Sequence, residues 1–293
     1  MQIPAVRRKL VFERASCPRR CPDVGAEGLS KSEQLAWREQ GCFCRESVFS
    51  SAEIAALQQA VERCVAQVEQ EIRSSGRGYQ IDGNRYFETT DATVQMEHDS
   101  ASGAVRVVEP FHHLDARCDA LVDDPRIVVP VRELVDDERV ALFTDKINLK
   151  RPYEGSGFRW HQDSPYWAHF TSELERMPNV LVTLDDASAH NGCFRVIAGS
   201  HKRGMLPGLK GDGVLGPLFT DPRGFDASRQ LLFEVPAGSL VFFSAHSVHG
   251  SEPNQSGRAR RAAVLTYQPG GRRMFKLDAR REAGAMLQEP GAA

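Results

Sequence analysis

The chain has 293 residues, with 37 Lys and Arg against 39 Asp and Glu, a formal net charge of -2 and 41% hydrophobic residues. That length is enough for one large domain with a full core, and the balanced charge speaks against nucleic acid or an anionic membrane as partner. No run approaches the ~18 apolar residues of a membrane span and no apolar stretch near Met1 reads as a secretory leader, so a cytoplasmic setting and a small-molecule substrate are expected, with the oligomeric state open.

Residues 1–28 carry Arg7, Arg8, Arg14, Arg19 and Arg20 beside Pro18 and Pro22 and read as a loose leader, 29–280 as a single domain and 281–293 as a tail. Cys17-x3-Cys21 and Cys42-x-Cys44 lack the spacing of paired zinc loops and read as free thiols, in keeping with an odd total of seven cysteines. From Ser51 to Arg73, Ile54, Leu57, Val61, Val65 and Val68 recur at three- and four-residue steps behind a serine cap, which predicts an amphipathic helix packed on a sheet. Short strands are predicted over 78–81, 84–87 and 105–108, and helix within 118–137, where Pro125 and Pro130 limit its starting points.

From Val140 to Tyr267 strand signals recur at 140–149, 158–161, 179–185, 193–197, 231–235, 239–243 and 262–267, punctuated by Gly, Pro, Asn and Asp. This predicts a mostly β fold with flanking helices, a double-stranded β-helix of the cupin-like jelly-roll kind. The Gly-, Pro- and Asp-rich stretch 203–230 reads as a long loop of the type that covers sites.

The sharpest local signal is His161-Gln162-Asp163, because residues two apart on a strand share a face. With a second histidine from another strand they would complete the two-histidine, one-carboxylate set that binds iron(II) and leaves positions open. His113-Leu114-Asp115 repeats the spacing but precedes a helix, and reads as a surface histidine beside a solvated acid. Downstream, an apolar strand over 239–243 leads to His246 and His249, of opposite strand parity; parity alone leaves open which one joins the metal.

Together, His161-Gln162-Asp163, Asp185-Asp186-Ala187, Asn191-Gly192-Cys193-Phe194, Gly199-Ser200-His201-Lys202 and His249-Gly250-Ser251 with Arg260 resemble the phytanoyl-CoA dioxygenase family of iron(II) and 2-oxoglutarate oxygenases, over roughly residues 29–268. The resemblance implies His161, Asp163 and His249 as iron ligands and Arg260 as partner of the far carboxylate of 2-oxoglutarate, a role that suits a guanidinium fork. Arg258 is the alternative on strand parity, whereas Arg261 would face away. Ser251, Thr144 and Asn148 are implied as further cosubstrate contacts and Trp167 as a neighbour of the metal, each with a bland reading as a strand-face polar or packed core residue.

What the resemblance implies is a hydroxylase using Fe(II), 2-oxoglutarate and O2 and releasing succinate and CO2. The carboxylate of Asp163 favours hydroxylation, desaturation or ring closure over halogenation, and Gln162 between the ligands departs from ectoine-hydroxylating relatives, which speaks against ectoine as substrate. A specialised metabolite or small polar compound is expected; the alternatives are a lipid or acyl-CoA hydroxylase and a non-catalytic jelly-roll binding protein. Pocket walls are expected from 76–104, 164–178 and 203–230, and Arg73, Arg77 and Arg203 read as solvated.

Overall fold

The protein is described from a computed structural model covering residues 13–14, 27–99 and 101–284. Most of the expected leader, with Cys17 and Cys21, lies outside these residues. In chain order come β1 (Glu13–Arg14), α1 (Lys31–Gln40), β2 (Cys42–Arg45) and α2 (Ser51–Ser75). An antiparallel run follows: β3 (Arg77–Ile81), β4 (Asn84–Glu88), β5 (Thr93–Met96) and β6 (Val105–Glu109). Helices α3 (Ala116–Val122) and α4 (Pro125–Val135) precede β7 (Val140–Lys150), β8 (Phe158–His161), α5 (Ser164–Trp167), β9 (Pro178–Thr183) and β10 (Phe194–Ile197). The chain closes with β11 (Gln230–Phe233), β12 (Leu240–Ser244), β13 (His249–Ser251), β14 (Arg260–Pro269) and β15 (Glu282–Ala283).

Two serines start the main helices. Ser30 and Ser50 each accept the N–H of a glutamate three residues on, while Glu33 and Glu53 reach back to the serine N–H groups, so both helices begin in capping boxes. The first of these helices, and β2 after it, were not among the sequence expectations; Ser30 and Glu33 were the available signal. The expected helix within 118–137 is two helices, because Asp124 caps a second start and Pro125 takes its first turn.

Among the described residues the strands form two sheets, β1-β11-β10-β13-β8 and β2-β12-β9-β14-β7-β6-β5-β4-β3, with β15 beside β7. Strand alternation divides the larger sheet into two faces. Val180, Val182, Leu240, Phe242, Ala263 and Leu265 pack in a core with Ile54, Val61, Val65 and Val68 of α2 and Val128 and Val131 of α4. Their neighbours Leu181, Val241, Phe243, Ala262 and Val264 pack instead with Phe194, Val196 and Phe233 of the smaller sheet. This is the jelly roll that the strand spacing predicts. It differs at Cys44, which is disulfide-bonded and so corrects the free-thiol reading there; Cys42, Cys64, Cys118 and Cys193 are free.

Candidate active site

β8 and β13 pair so that His161 lies directly opposite His249, with ring centres 4.1 Å apart. The strand ends at His161, and Gln162 and Asp163 form the turn into α5. Strand alternation therefore does not aim Asp163, as the sequence suggests; the turn does. That turn is pinned from several sides. The N–H groups of Asp163 and Ser164 both donate to the Ala245 carbonyl at 3.1 Å. The buried Gln162 amide donates to the Gly204 and His246 carbonyls at 2.8 and 2.5 Å and accepts the Leu206 N–H at 2.8 Å. One ligand atom from each of His161, Asp163 and His249 lies within 4.8 Å of the others.

Each histidine is oriented by the backbone of its own strand. Nδ1 of His161 meets the Arg159 carbonyl at 2.7 Å and Nδ1 of His249 the Ser247 carbonyl at 2.9 Å, which places the proton on Nδ1 and leaves both Nε2 lone pairs free. Burial keeps both rings neutral; it pushes His161 down to about 3, with the neighbouring His249 adding to the effect. Burial alone would raise the Asp163 carboxyl. The His249, Lys146 and His161 side chains and the Asn179 amide, which donates to Oδ2 at 3.0 Å, outweigh it and hold the group ionised. Asn179 is held in turn by the Thr266 hydroxyl at 2.6 Å. Two neutral imidazoles and a carboxylate, with their outer partners in place, are the donor set of an iron(II) site with open positions.

The inward face of β7 carries Thr144, Lys146, Asn148 and Lys150, paired across to Thr266, Val264, Ala262 and Arg260 of β14. At the far end Arg260 is buried, and its Nε and Nη2 donate to the Gly192 carbonyl at 3.1 and 2.7 Å. Fully buried Lys150 donates to the Glu252 carbonyl; a Cβ at Gly192 would stand 2.8 Å from its Nζ. Burial, with the Arg260 and Arg106 charges, pushes Lys150 down to about 6, and burial lowers Arg260 to about 10. A buried guanidinium and a buried amine whose described hydrogen bonds go only to carbonyls suit an incoming carboxylate. Ser251 is buried on β13 opposite Phe158, and the Asn148 Oδ1 atom is buried without a partner. Arg258 is exposed, and Arg261 pairs with Asp185 and Glu62.

A cavity of about 590 Å³ opens beside the metal corner. His161, Asp163, Lys146, Asn148, Tyr166 and Trp167 line it, with Asp82, Asn84, Tyr86 and His98 from the β3–β6 run and Asp212, Leu215 and Phe219 from the loop 203–230. All three expected segments contribute, although much of 76–104 is strand rather than loop. Trp167 is buried edge-on against Phe143 at 5.2 Å. Thr144 does not line the cavity; its hydroxyl donates to Glu109 at 2.8 Å.

His246 bonds the Ser164 hydroxyl at 2.9 Å and stands outside the ligand cluster. In the decoy, Asp115 caps α3 and pairs with Arg63. Lys146, 4.0 Å from the Asp163 carboxylate, Lys150, Asn179 and Arg106 were missed by sequence reasoning. For the lysines the signal was present: Thr144, Lys146, Asn148 and Lys150 alternate along one strand.

The family model for phytanoyl-CoA dioxygenase matches residues 37–262. The chain is 29% identical over 192 residues to L-proline trans-4-hydroxylase of Streptomyces griseoviridis, covering 58% of this chain and 69% of that one. It is 27% identical over 269 residues to ectoine dioxygenase of Bordetella bronchiseptica, covering 83% and 76%. Among solved structures, EctD from S. alaskensis with 2-oxoglutarate and 5-hydroxyectoine superposes with TM-score 0.64 at 21% identity over 93% of this chain and 88% of that one. At that identity the likeness speaks for the fold.

Proposed function

The chain belongs to the phytanoyl-CoA dioxygenase family, and on that premise we propose that His161, Asp163 and His249 hold its iron(II) while Arg260, Ser251 and Asn148 receive 2-oxoglutarate. The protein is an iron(II)- and 2-oxoglutarate-dependent dioxygenase that oxidises a small organic molecule. When bound, the iron and 2-oxoglutarate activate O2, giving succinate and CO2 and the oxidising power to attack a C–H bond.

The residues themselves set the stage for this chemistry. The Arg159 and Ser247 carbonyls keep both Nε2 lone pairs facing the metal position, and Asn179 with Lys146 keeps Asp163 ionised. Arg260 supplies positive charge inside the roll, away from solvent, where a second carboxylate of the cosubstrate is held most strongly, and the amine of Lys150 beside it adds N–H donors. Trp167 and Phe143 exclude water beside the cavity. Asp82, Arg106, Glu109 and Lys146 set charged groups among the aromatic and aliphatic side chains that line the cavity, which favours a compact substrate with polar groups over a bare acyl chain.

The observation that carries the assignment is the convergence of the three ligand atoms within 4.8 Å with both histidine tautomers already set. Adding iron(II) and then 2-oxoglutarate to metal-free protein without oxygen tests it. A visible charge-transfer band in the wild type that is lost in Asp163→Ala and weakened in Arg260→Ala is expected. Folded wild-type protein without a band would overturn the assignment.

A further inference from the structure

Resting on the dioxygenase reading above, we propose that Arg106 anchors an acidic group of the organic substrate, a carboxylate or a phosphonate, so that the substrate is a small organic acid. The argument begins in the strand register. Gln95 of β5 pairs with Val107 of β6, and the next residue, Met96, pairs with Val105, so Arg106 is one residue too many. An extra residue in an antiparallel pair bends the strand and re-aims its side chain, and such bulges gather beside active sites. Here the result is a guanidinium turned to the cavity wall with only 5% of the residue exposed.

A guanidinium has five N–H donors. Among the described residues this one has a single hydrogen-bond acceptor, the Gly157 carbonyl, 2.7 Å from Nη2. The Phe158 ring supports the group from one side at 4.0 Å, and the buried Nε has no partner. The other cations at the cavity are engaged: Lys146 lies between Asp163 and Glu109, and Arg159 pairs with Asp212 at 2.6 Å on the rim. Arg106 has no acid within ion-pair distance among the described residues. Glu97 acts on it electrostatically but makes no hydrogen bond to it: Oε2 accepts from the N–H and hydroxyl of Ser156, and Oε1 is buried without a partner.

Even beside Glu97, a buried guanidinium with most of its N–H groups unbonded is unfavourable unless a ligand completes it, and a planar fork of free N–H groups fits two oxygens of a carboxylate or phosphonate. The position relative to the metal corner also fits. The ring of Tyr166 stands 6.1 Å from that of His161, and Tyr166 and Arg106 line the same cavity as the ligands His161 and Asp163. A molecule held by its acid at Arg106 sits in the cavity that the ligands face and can present its carbon skeleton to them.

The test uses full-length protein loaded with zinc(II) and N-oxalylglycine, which fill the metal and cosubstrate positions without turnover. Ligand-observed NMR then compares a panel of small carboxylic and phosphonic acids with their neutral amides. Acids are expected to bind in preference to amides. Arg106→Gln should weaken the acids at least ~10-fold, the scale of a charge-assisted hydrogen bond; Arg106→Lys should keep part of the preference, and N-oxalylglycine affinity should stay within about twofold in both. Acids binding no better than amides in the wild type, including none binding, would overturn the proposal. So would undiminished acid binding in Arg106→Gln, and so would loss of N-oxalylglycine there, which would make Arg106 a cosubstrate residue. Failure of N-oxalylglycine to bind the wild type is a separate result: it overturns the cosubstrate site and the proposal with it.

Discussion

Where β8 meets β13, paired backbone, the Gln162 clamp and the chain Asp163–Asn179–Thr266 hold the ligand turn, mostly through buried bonds. The opposite wall of the cavity is assembled from the β3–β4 hairpin and the loop 203–230, which meet through few and more open contacts. Asp82 at the hairpin tip accepts the Leu215 N–H at 2.6 Å, and Gly213, with φ +74, leaves room for the same carboxylate. Arg159 and Asp212 pair on the rim with both side chains about half exposed. Exposed ion pairs contribute about 0–1 kcal/mol, against about 1.5–3 kcal/mol for hydrogen bonds to charged groups. The metal side is therefore built to be fixed and the substrate side to adjust.

The contrast breaks most severely at Asp163. Asp163→Ala should abolish iron retention in a metal analysis of the purified protein, a loss well beyond the ~10–100-fold expected for an outer partner. Arg260→Ala should weaken 2-oxoglutarate by about 10- to 150-fold in an anaerobic titration, as the loss of charge-assisted bonds implies; exposed Arg258→Ala should stay within about twofold. Equal effects of the two would reassign the arginine. Asn179→Ala should lower iron affinity ~10–100-fold with the fold intact.

A smaller effect concerns pH. Lys150 is pushed down to about 6 in the fold, against about 10.4 in an unfolded chain. Between those values the unfolded chain binds the extra proton, so stability rises with pH from about 6 upward and is insensitive to this group below that. Lys150→Met should flatten the rise in urea midpoint between about pH 6.5 and 8.5; an unchanged slope would mean that the lysine stays charged. The smallest expected effect is on the adjustable wall. Asp82→Ala should change substrate KM by only a few-fold, about 1 kcal/mol or less, and leave the charge-transfer band unchanged.

The parts legible in the sequence were those set by period and local chemistry. The recurrence of short strand runs between turn residues from 140 to 267 carried the jelly roll, and Ser50 with Glu53 closes the helix start that the pattern from Ile54 onward implies. The histidine choice was not legible from parity: His246 and His249 separate only because one turns to Ser164 and the other enters a strand opposite His161. Arg106 was equally hidden. Its direction depends on a one-residue register slip between β5 and β6, and nothing in Val105-Arg106-Val107 marks which partner residue is skipped. Lys146 went unread for a different reason: its alternation with Thr144 and Asn148 was visible, but only the fold shows that this face of β7 lines the cavity.

The partners of Gln162 are all backbone groups: the carbonyls of Gly204 and His246 and the N–H of Leu206. An attachment made to main chain does not depend on which side chains follow it. Natural selection can therefore rewrite the side chains of the loop for a new substrate without re-solving how the loop is fastened to the ligand turn. A single buried amide lets the variable part of the molecule evolve separately from the chemistry it serves.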